Sequence, residues 1–426
     1  MNAQHIERLL LCIAIATGLG MSTGHPAGMV AAAGMPLVCL MPGTRKAAFR
    51  SAFGYYLAAL WPIVPGIERY LGQSKTVLAV MLWALAAILL STPWTIAWTS
   101  KRTLYIWRAP AALFATVIPP LGIIGLASPL TGAGYLFPGT GWAGLAAVAL
   151  LPGILLSMRS SIWRLRTVAL AAALSAASYL LYPGDTQPPT GWIAFNTHFG
   201  DLSQPFRDFE AAQFIQQQAD ESSAQVLIFP EAVVPRWSKA TEAFWRQSLV
   251  RRRKRGQILA IGAGLPATPT KNDREHLSDL SSYDFGEAIA VLNGIDSSAI
   301  HLRSRSPRPE PIDNTLLIVG AESATFYQRV PVPIGMWRPF GRTSVPIRLS
   351  QPGVLAIDHE RAAVLICYEQ MLTFPILVSM FEHPTVIVAI SNTFWVDATT
   401  IPLYERTAVF AWAKLFQLPY LAAINS

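Results

Sequence analysis

The sequence predicts a bundle of membrane-spanning helices followed by a layered α/β domain, and three observations support this fold class. The 426 residues are 52% hydrophobic and only 14% charged, whereas a soluble domain carries about 25% charged residues. Charged residues are scarce up to residue 183 and return at ordinary density from about residue 186. The later part alternates short apolar strands with amphipathic helices. We therefore divide the chain into residues 1–183, a Pro/Gly-rich linker at 184–190, and residues 191–426.

The first part contains apolar runs that approach the roughly 20 residues needed to cross a bilayer. Seven runs qualify, with soft boundaries: 6–23, 26–42, 48–66, 76–98, 104–126, 134–157 and 164–182. The second of these is short and rich in Gly and Ala. Because the runs have almost no ionisable residues at their centres, we expect an anchor or lipid-facing platform more than a transport path.

Basic residues alternate between the connections, which predicts the orientation of the helices. Loops rich in Lys and Arg stay in the cytoplasm, and such residues cluster before the third run, between the fourth and fifth, and between the sixth and seventh: Arg45, Lys46, Arg50, Lys101, Arg102, Arg108, Arg159, Arg164 and Arg166. With Arg8 also inside and seven crossings, the chain leaves the membrane on its outer side. We expect a multi-pass inner-membrane protein whose C-terminal domain is periplasmic.

The second part reads as alternating strands and helices. Continuous apolar strands between helices predict a layered α/β domain with covered sheets. The predicted strands are 191–196, 226–231, 257–265, 286–293, 314–320, 361–367, 385–391 and 419–425. The predicted helices are 205–221, 240–255 and 403–417.

Two reactive side chains follow buried strands in this second part. Glu231 ends the stretch Val226–Glu231, and Cys367 ends the stretch Arg361–Cys367. Residues at the carboxyl ends of strands in α/β folds commonly line active sites, and a thiol beside a carboxylate makes a nucleophile with its base. Taken singly, each has an ordinary alternative: Glu231 as a solvated loop acid, and Cys367 as a buried core thiol.

Together these motifs resemble the nitrilase, or carbon–nitrogen hydrolase, superfamily, whose signature is a Glu, a Lys and a Cys after successive strands. Phe229-Pro230-Glu231 resembles the Glu motif, and Ile366-Cys367-Tyr368-Glu369 resembles the Cys motif. The stretch Ser391–Trp395 and the end of the chain from Glu405 resemble the membrane-bound branch that includes apolipoprotein N-acyltransferase. The whole chain resembles the TraB conjugal-transfer protein family. The resemblance implies an α-β-β-α sandwich after the membrane helices.

The same resemblance implies roles for the site residues. Glu231 would remove the thiol proton, and Cys367 would attack a carbonyl or nitrile carbon. Arg329, which we align with the Lys of a Y-x-K stretch, and the backbone N–H of Tyr368 would stabilise the oxyanion. Glu369 would orient Arg329 or the incoming amine. The chain departs from the acyltransferases at Arg329 and at Met336, which stands where they have a Glu.

Two classes of function remain open on this basis. The first is a Cys-dependent amidase or N-acyltransferase, acting on a lipid, a lipoprotein or a pilus component. The second is a non-catalytic membrane assembly factor of the conjugation machinery. We expect membrane lipids and conjugation or pilus components as partners.

Other sequence features bear on metals, cofactors and nucleic acid as ligands. The histidines show no ligand spacing, so we expect no metal, and we expect no cofactor. The basic run Arg251–Arg255 is compatible with a solvated helix face, with anionic lipid headgroups or, less well, with nucleic acid. We expect no direct nucleic-acid partner, because the predicted compartment is periplasmic.

The orientation can be tested with two fusions at Ser426. We expect a C-terminal alkaline phosphatase to be active and a reporter that fluoresces only in the cytoplasm to stay dark, because phosphatase folds only outside the cytoplasm. Fluorescence without phosphatase activity would reverse the topology.

Overall fold

The computed structural model describes residues 2–71, 73–202, 207–266, 312–338 and 344–426. The predicted strand 286–293 lies outside these ranges. Elements are numbered below in chain order over the described residues.

The first part of the chain is helical throughout its described length. The α-helices are α1 Ala3–Ser22, α2 Pro26–Ala32, α3 Met35–Leu40, α4 Arg45–Leu60, α5 Ile63–Leu71, α6 Thr76–Ala97, α7 Tyr105–Val117, α8 Ala133–Leu136, α9 Trp142–Ser157 and α10 Ser161–Leu181. Short 3₁₀ helices lie between them at Gln73–Lys75, Arg102–Leu104, Leu121–Ile123 and Pro129–Gly132.

Four of the predicted apolar runs are interrupted. The run 48–66 is divided between α4 and α5. The run 26–42 is divided between α2 and α3. In the run 104–126, α7 ends just before Pro119-Pro120, because proline lacks an amide donor and disfavours a helical residue before it. In the run 134–157, Gly139 and Gly141 adopt positive φ between α8 and α9. By length and composition, two described helical stretches are suited to crossing a membrane, Gln4–Ser22 and Thr76–Ala97.

The second part contains two sheets. Its strands are β1 Trp192–Ala194, β2 Val226–Ile228, β3 Ile258–Pro266, β4 Ile312–Gly320, β5 Ala324–Tyr327, β6 Val354–Ile357, β7 Glu360–Ile366, β8 Val386–Asn392 and β9 Tyr420–Asn425. The first sheet has the order β1-β2-β3-β4-β5, and the second has the order β6-β7-β8-β9. Strands β1 to β3 are parallel to one another, as are β7 to β9, and the remaining pairs are antiparallel.

The two sheets face each other across an apolar layer, and helices cover their outer faces. The helices of this part are α11 Arg207–Glu221, α12 Lys239–Lys254, α13 Thr373–Phe381 and α14 Ile401–Phe416, with a 3₁₀ turn at Cys367–Met371. Side chains of β2, β3 and β4 meet those of β7, β8 and β9 in one buried cluster. A second cluster joins the first sheet to α11 and α12. The predicted α-β-β-α sandwich is therefore present in the structure.

Some elements of this part escaped the prediction. Strands β5 and β6 have only four residues each, too few for a clear alternating pattern. Within the basic run, Arg252 is fully buried and hydrogen-bonds Gln257 at 2.9 Å and the carboxylate of Asp220. A uniformly solvated helix face is thus wrong for Arg252, because this guanidinium closes the end of α12 against α11.

The helical part and the sandwich share one apolar core. Helix α14 covers the second sheet on one side and contacts α8 on the other, and both parts contribute to the same buried cluster. The Tyr135 hydroxyl donates to the carbonyl of Thr407 at 3.0 Å, and the Gly139 amide donates to that of Lys414 at 2.9 Å. Gly134 lies so close to α14 that an added Cβ would be 1.8 Å from the Ala411 carbonyl oxygen.

This contact yields a stability prediction. We expect Gly134→Ala to lower the apparent Tm of the purified chain in detergent, because overpacking of this kind typically costs about 1–3 kcal/mol. Gly43→Ala is the matched control, since its Cβ would meet only a side-chain oxygen at 3.7 Å. Unfolding is monitored by tryptophan fluorescence. Equal melting temperatures for the two variants would contradict this packing.

Candidate active site

Glu231 and Cys367 meet at the carboxyl ends of facing strands. Glu231 follows β2 in the first sheet, and Cys367 follows β7 in the second. The two side chains line one pocket and act on each other's ionisation, and both are buried, with exposures of 6% each. The arrangement is the juxtaposition of thiol and carboxylate that the strand ends suggested.

The backbone at both positions is held in a conformation that L-residues rarely adopt. Cys367 has φ +51°, and Ala232, directly after Glu231, has φ +54°. Such residues cost of order 1–3 kcal/mol each and persist where the surrounding structure fixes them. Gly262 on β3 provides the space, because a Cβ there would lie 2.5 Å from the Glu231 Cα. The two sharp turns aim both side chains into one pocket.

Glu231 is held from both sheets. The amide of Asn392, at the end of β8, donates to its Oε2 at 2.8 Å, and the Asn314 side-chain amide on β4 donates to its Oε1. Burial raises the pKa of Glu231 to about 7, although these hydrogen bonds and the nearby Cys367 thiol favour the charged form. A carboxylate with this pKa can accept a proton near neutral pH.

The thiol lies in an environment that opposes its ionisation. Burial raises the pKa of Cys367, and the nearby charges of Glu231 and Glu405 raise it further. The backbone N–H of Tyr368 hydrogen-bonds the sulfur and favours the thiolate. Cys367 therefore needs a base to react near neutral pH, and Glu231 is the carboxylate in contact with it. Cys12 and Cys39 are free cysteines in the helical part.

Arg329 does not reach this pair, which corrects its expected oxyanion role. Its guanidinium donates to the carbonyls of Pro375 at 3.0 Å and Val364 at 3.1 Å, and to the Ser379 hydroxyl at 3.1 Å. These partners belong to β7 and α13, on the outer side of the second sheet. Arg329 is 1% exposed and fixes the packing of α13.

Gln328, one residue earlier, is the side chain that faces the site. Its Nε2 donates to the carbonyl of Ile366 at 3.1 Å, and its Oε1 accepts from Asn314 at 3.3 Å. Successive side chains of an extended segment point to opposite faces. The inward position expected for Arg329 is therefore occupied by its neighbour, Gln328. An amide hydrogen-bonded to Asn314 and to the residue before Cys367 thus stands where a cation was expected.

Glu369 holds the loop together and does not approach Cys367 from the pocket side. Its carboxylate accepts the backbone amides of Arg329 at 2.5 Å, Val330 at 2.9 Å and Ile366 at 3.2 Å. Its Oε1 lies 3.6 Å from Nε of Arg329. Burial raises the pKa of Glu369, and these partners act against that rise. The expected orientation of Arg329 by Glu369 is present, but for a structural purpose.

A pocket of about 260 Å³ opens onto Glu231 and Cys367. Its walls are mostly apolar and come from both parts of the chain: Tyr70, Glu231, Ala232, Pro235, Gly264, Ile312, Asn314, Val332, Met336, Cys367, Asn392, Phe394 and Trp395. Among the described residues, no group of three or more His, Cys, Asp or Glu side chains is arranged to hold a metal ion.

Sequence reasoning missed several of these residues. Asn392 carried a usable signal, since it follows the predicted apolar strand 385–391, as Glu231 and Cys367 end theirs. Asn314 opens the predicted strand 314–320, so a criterion based on the carboxyl ends of strands did not find it. Tyr70 carried none, because it lies in the helical part at the end of α5.

The raised pKa of Glu231 gives a testable pH dependence. Alkylation of Cys367 by iodoacetamide should rise through about pH 7, because Glu231 becomes a base only above its own pKa. In Glu231→Gln the rise should move to higher pH, following the elevated pKa of the thiol itself. Site occupancy at Cys367 is measured by peptide mass spectrometry, and identical profiles would exclude Glu231 as the base.

The chain is similar over its full length to conjugal transfer proteins. It is 27% identical over 439 residues, covering 100% of both chains, to a probable conjugal transfer protein TraB of Sinorhizobium fredii. It is 27% identical over 447 residues to a conjugal transfer protein TraB of Agrobacterium fabrum, covering 98% of this chain and 92% of that one. No protein-family model matches the chain.

Solved structures similar to the sandwich include amidases of the bacterium Nesterenkonia. An amidase from Nesterenkonia sp. aligns with 13% identity and a TM-score of 0.34, covering 55% of this chain and 74% of that one. A cysteine-to-serine mutant of the Nesterenkonia AN1 amidase, described as belonging to the nitrilase superfamily, aligns with 14% identity and a TM-score of 0.33, covering 55% of this chain and 75% of that one.

Proposed function

We propose that this chain is a membrane-anchored conjugal plasmid transfer protein with a thiol active site. Its Cys367 forms a thioester with a carbonyl substrate, in amidase or N-acyltransferase chemistry on a lipid, a lipoprotein or a pilus component. The single observation that carries the proposal is that the Cys367 thiol shares one pocket with the buried carboxylate of Glu231, whose pKa is raised to about 7.

The chemistry follows from the groups in the pocket. Glu231 accepts the thiol proton while the sulfur attacks the carbonyl carbon, and the C=O electron pair moves onto oxygen. The Tyr368 N–H, at the sulfur, is placed to donate to that oxygen. Collapse of the tetrahedral species expels an amine or alkoxide, which takes the proton back from Glu231. An incoming amine or water then cleaves the thioester.

Membrane anchoring is supported by the surfaces of the helices. Large apolar side chains are exposed along α1, α6 and α10, among them Leu9, Met81, Leu165, Leu180 and Leu181. Soluble monomers rarely expose apolar patches of this extent. In our proposal these helices lie in the inner membrane as a multi-pass anchor, and the sandwich lies in the periplasm. Lipids are then the first partners of the chain.

A specific observation favours the second candidate, an assembly factor without turnover. The cation expected beside the thiol is replaced by the neutral amide of Gln328, and Met336 lines the pocket. A fold preserved for binding alone tolerates such losses. The strained backbone at Cys367 and the satisfied carboxylate of Glu231 favour catalysis instead.

Plasmid transfer frequency separates the two candidates. We expect Cys367→Ala and Glu231→Gln to lower transfer at normal membrane abundance, because alanine cannot form a thioester and glutamine cannot accept the thiol proton. Cys12→Ala, at an exposed free cysteine of α1, is the matched control and should transfer like the unmodified chain. Normal transfer by Cys367→Ala would favour the assembly factor.

A further inference from the structure

Neither Arg329 nor Gln328, the polar side chains at the expected cation position, can donate to a developing oxyanion at the thiol. Acyl transfer places negative charge on the carbonyl oxygen, and active sites usually meet it with two or more fixed donors. Arg329 is committed to Pro375, Val364 and Ser379, and Gln328 donates to Ile366. The Tyr368 amide supplies one donor, so a second must come from another wall of the pocket.

Tyr70 is placed to be that donor. It lies in the last turn of α5 in the helical part and lines the same pocket as Glu231 and Cys367. Its ring packs edge-on against Trp395, with centroids 5.5 Å apart and planes at 65°. The ring also lies close to Gly335, where an added Cβ would be 3.0 Å from the Tyr70 Cε1. These contacts hold the ring at the wall of the pocket, where the side chain remains 47% exposed.

The Tyr70 hydroxyl can donate a hydrogen bond, and the charges of Cys367 and Glu231 act on it. It has no hydrogen-bond partner among the residues that the structure describes. Partial burial raises the pKa of Tyr70, and the charges of Cys367 and Glu231 raise it further, against an opposing effect of Arg338. The phenol therefore stays protonated at neutral pH and can donate. The other polar edge of this wall, Nε1 of Trp395, already donates to the Asn392 carbonyl at 3.0 Å.

We propose that Tyr70 donates its phenolic hydrogen bond to the carbonyl oxygen of the amide or ester bound at Cys367, as the second oxyanion donor. This inference rests on the proposed thiol chemistry and deepens it. The phenol transfers no proton: the sulfur–carbon bond forms, the π pair moves to oxygen, and Glu231 carries the proton. The acyl-transfer site is then complete only with the helical part docked on the sandwich.

Two reactions of the same thiol test this role in the full-length chain. Acylation by 4-nitrophenyl acetate builds an oxyanion, whereas alkylation by iodoacetamide is a displacement that builds none. We expect Tyr70→Phe, which keeps the ring contacts, to slow acylation of Cys367 by about 10²-fold or more and to leave alkylation within about twofold. Nitrophenolate release gives the first rate, and peptide mass spectrometry assigns both products to Cys367.

The outcomes separate this inference from the proposed function. Tyr182→Phe, a tyrosine whose hydroxyl bonds Asp185 at 2.9 Å near the linker, is the matched control and should acylate normally. Equal slowing of both reactions by Tyr70→Phe would assign Tyr70 to packing, and no slowing would remove it from the site. If the unmodified chain alkylates at Cys367 but never acylates, the thiol acyl-transfer function itself is wrong, and the donor role with it.

Discussion

The buried carboxylate of Glu231 is the interaction on which the site depends. A carboxylate is costly to bury unless its oxygens find donors, and here the donors come from both sheets. Asn314 belongs to the first sheet, while the Asn392 amide and the Cys367 thiol belong to the second. The carboxylate thus joins the ends of the two sheets. The residual cost of burial raises its pKa to about 7, which suits it to accept a proton.

Docking of the two parts of the chain decides the remaining walls of the pocket. Helix α14 lies between the second sheet and α8, and the Tyr368 hydroxyl donates to the Ile123 carbonyl of the helical part at 2.9 Å. The residue after Cys367 is therefore tied to the first part of the chain, and Tyr70 lines the pocket from the same part. The walls of the pocket around Cys367 therefore depend on the position of the helices.

Prediction from sequence succeeded where a local rule applied and failed where one residue of register mattered. Glu231 and Cys367 were found because each follows a continuous apolar strand. Arg329 was assigned to the site, but extended chain sends neighbouring side chains to opposite faces, and Gln328 took the inner face. The Arg329 guanidinium instead holds α13 against the second sheet. The strands β5 and β6 were missed because four residues are too few to show an alternating pattern.

The sequence by itself determined that an apolar helical part precedes an α/β sandwich, and that a thiol and a carboxylate end two of its strands. Hydropathy and strand periodicity are local properties, so the order of residues is enough to reveal them. Only the tertiary structure decided that Asn314 and Asn392 hold Glu231, that Arg329 turns away, and that Tyr70 reaches the pocket. Those contacts join residues up to about three hundred positions apart, and no local pattern encodes which distant side chains will share one buried space.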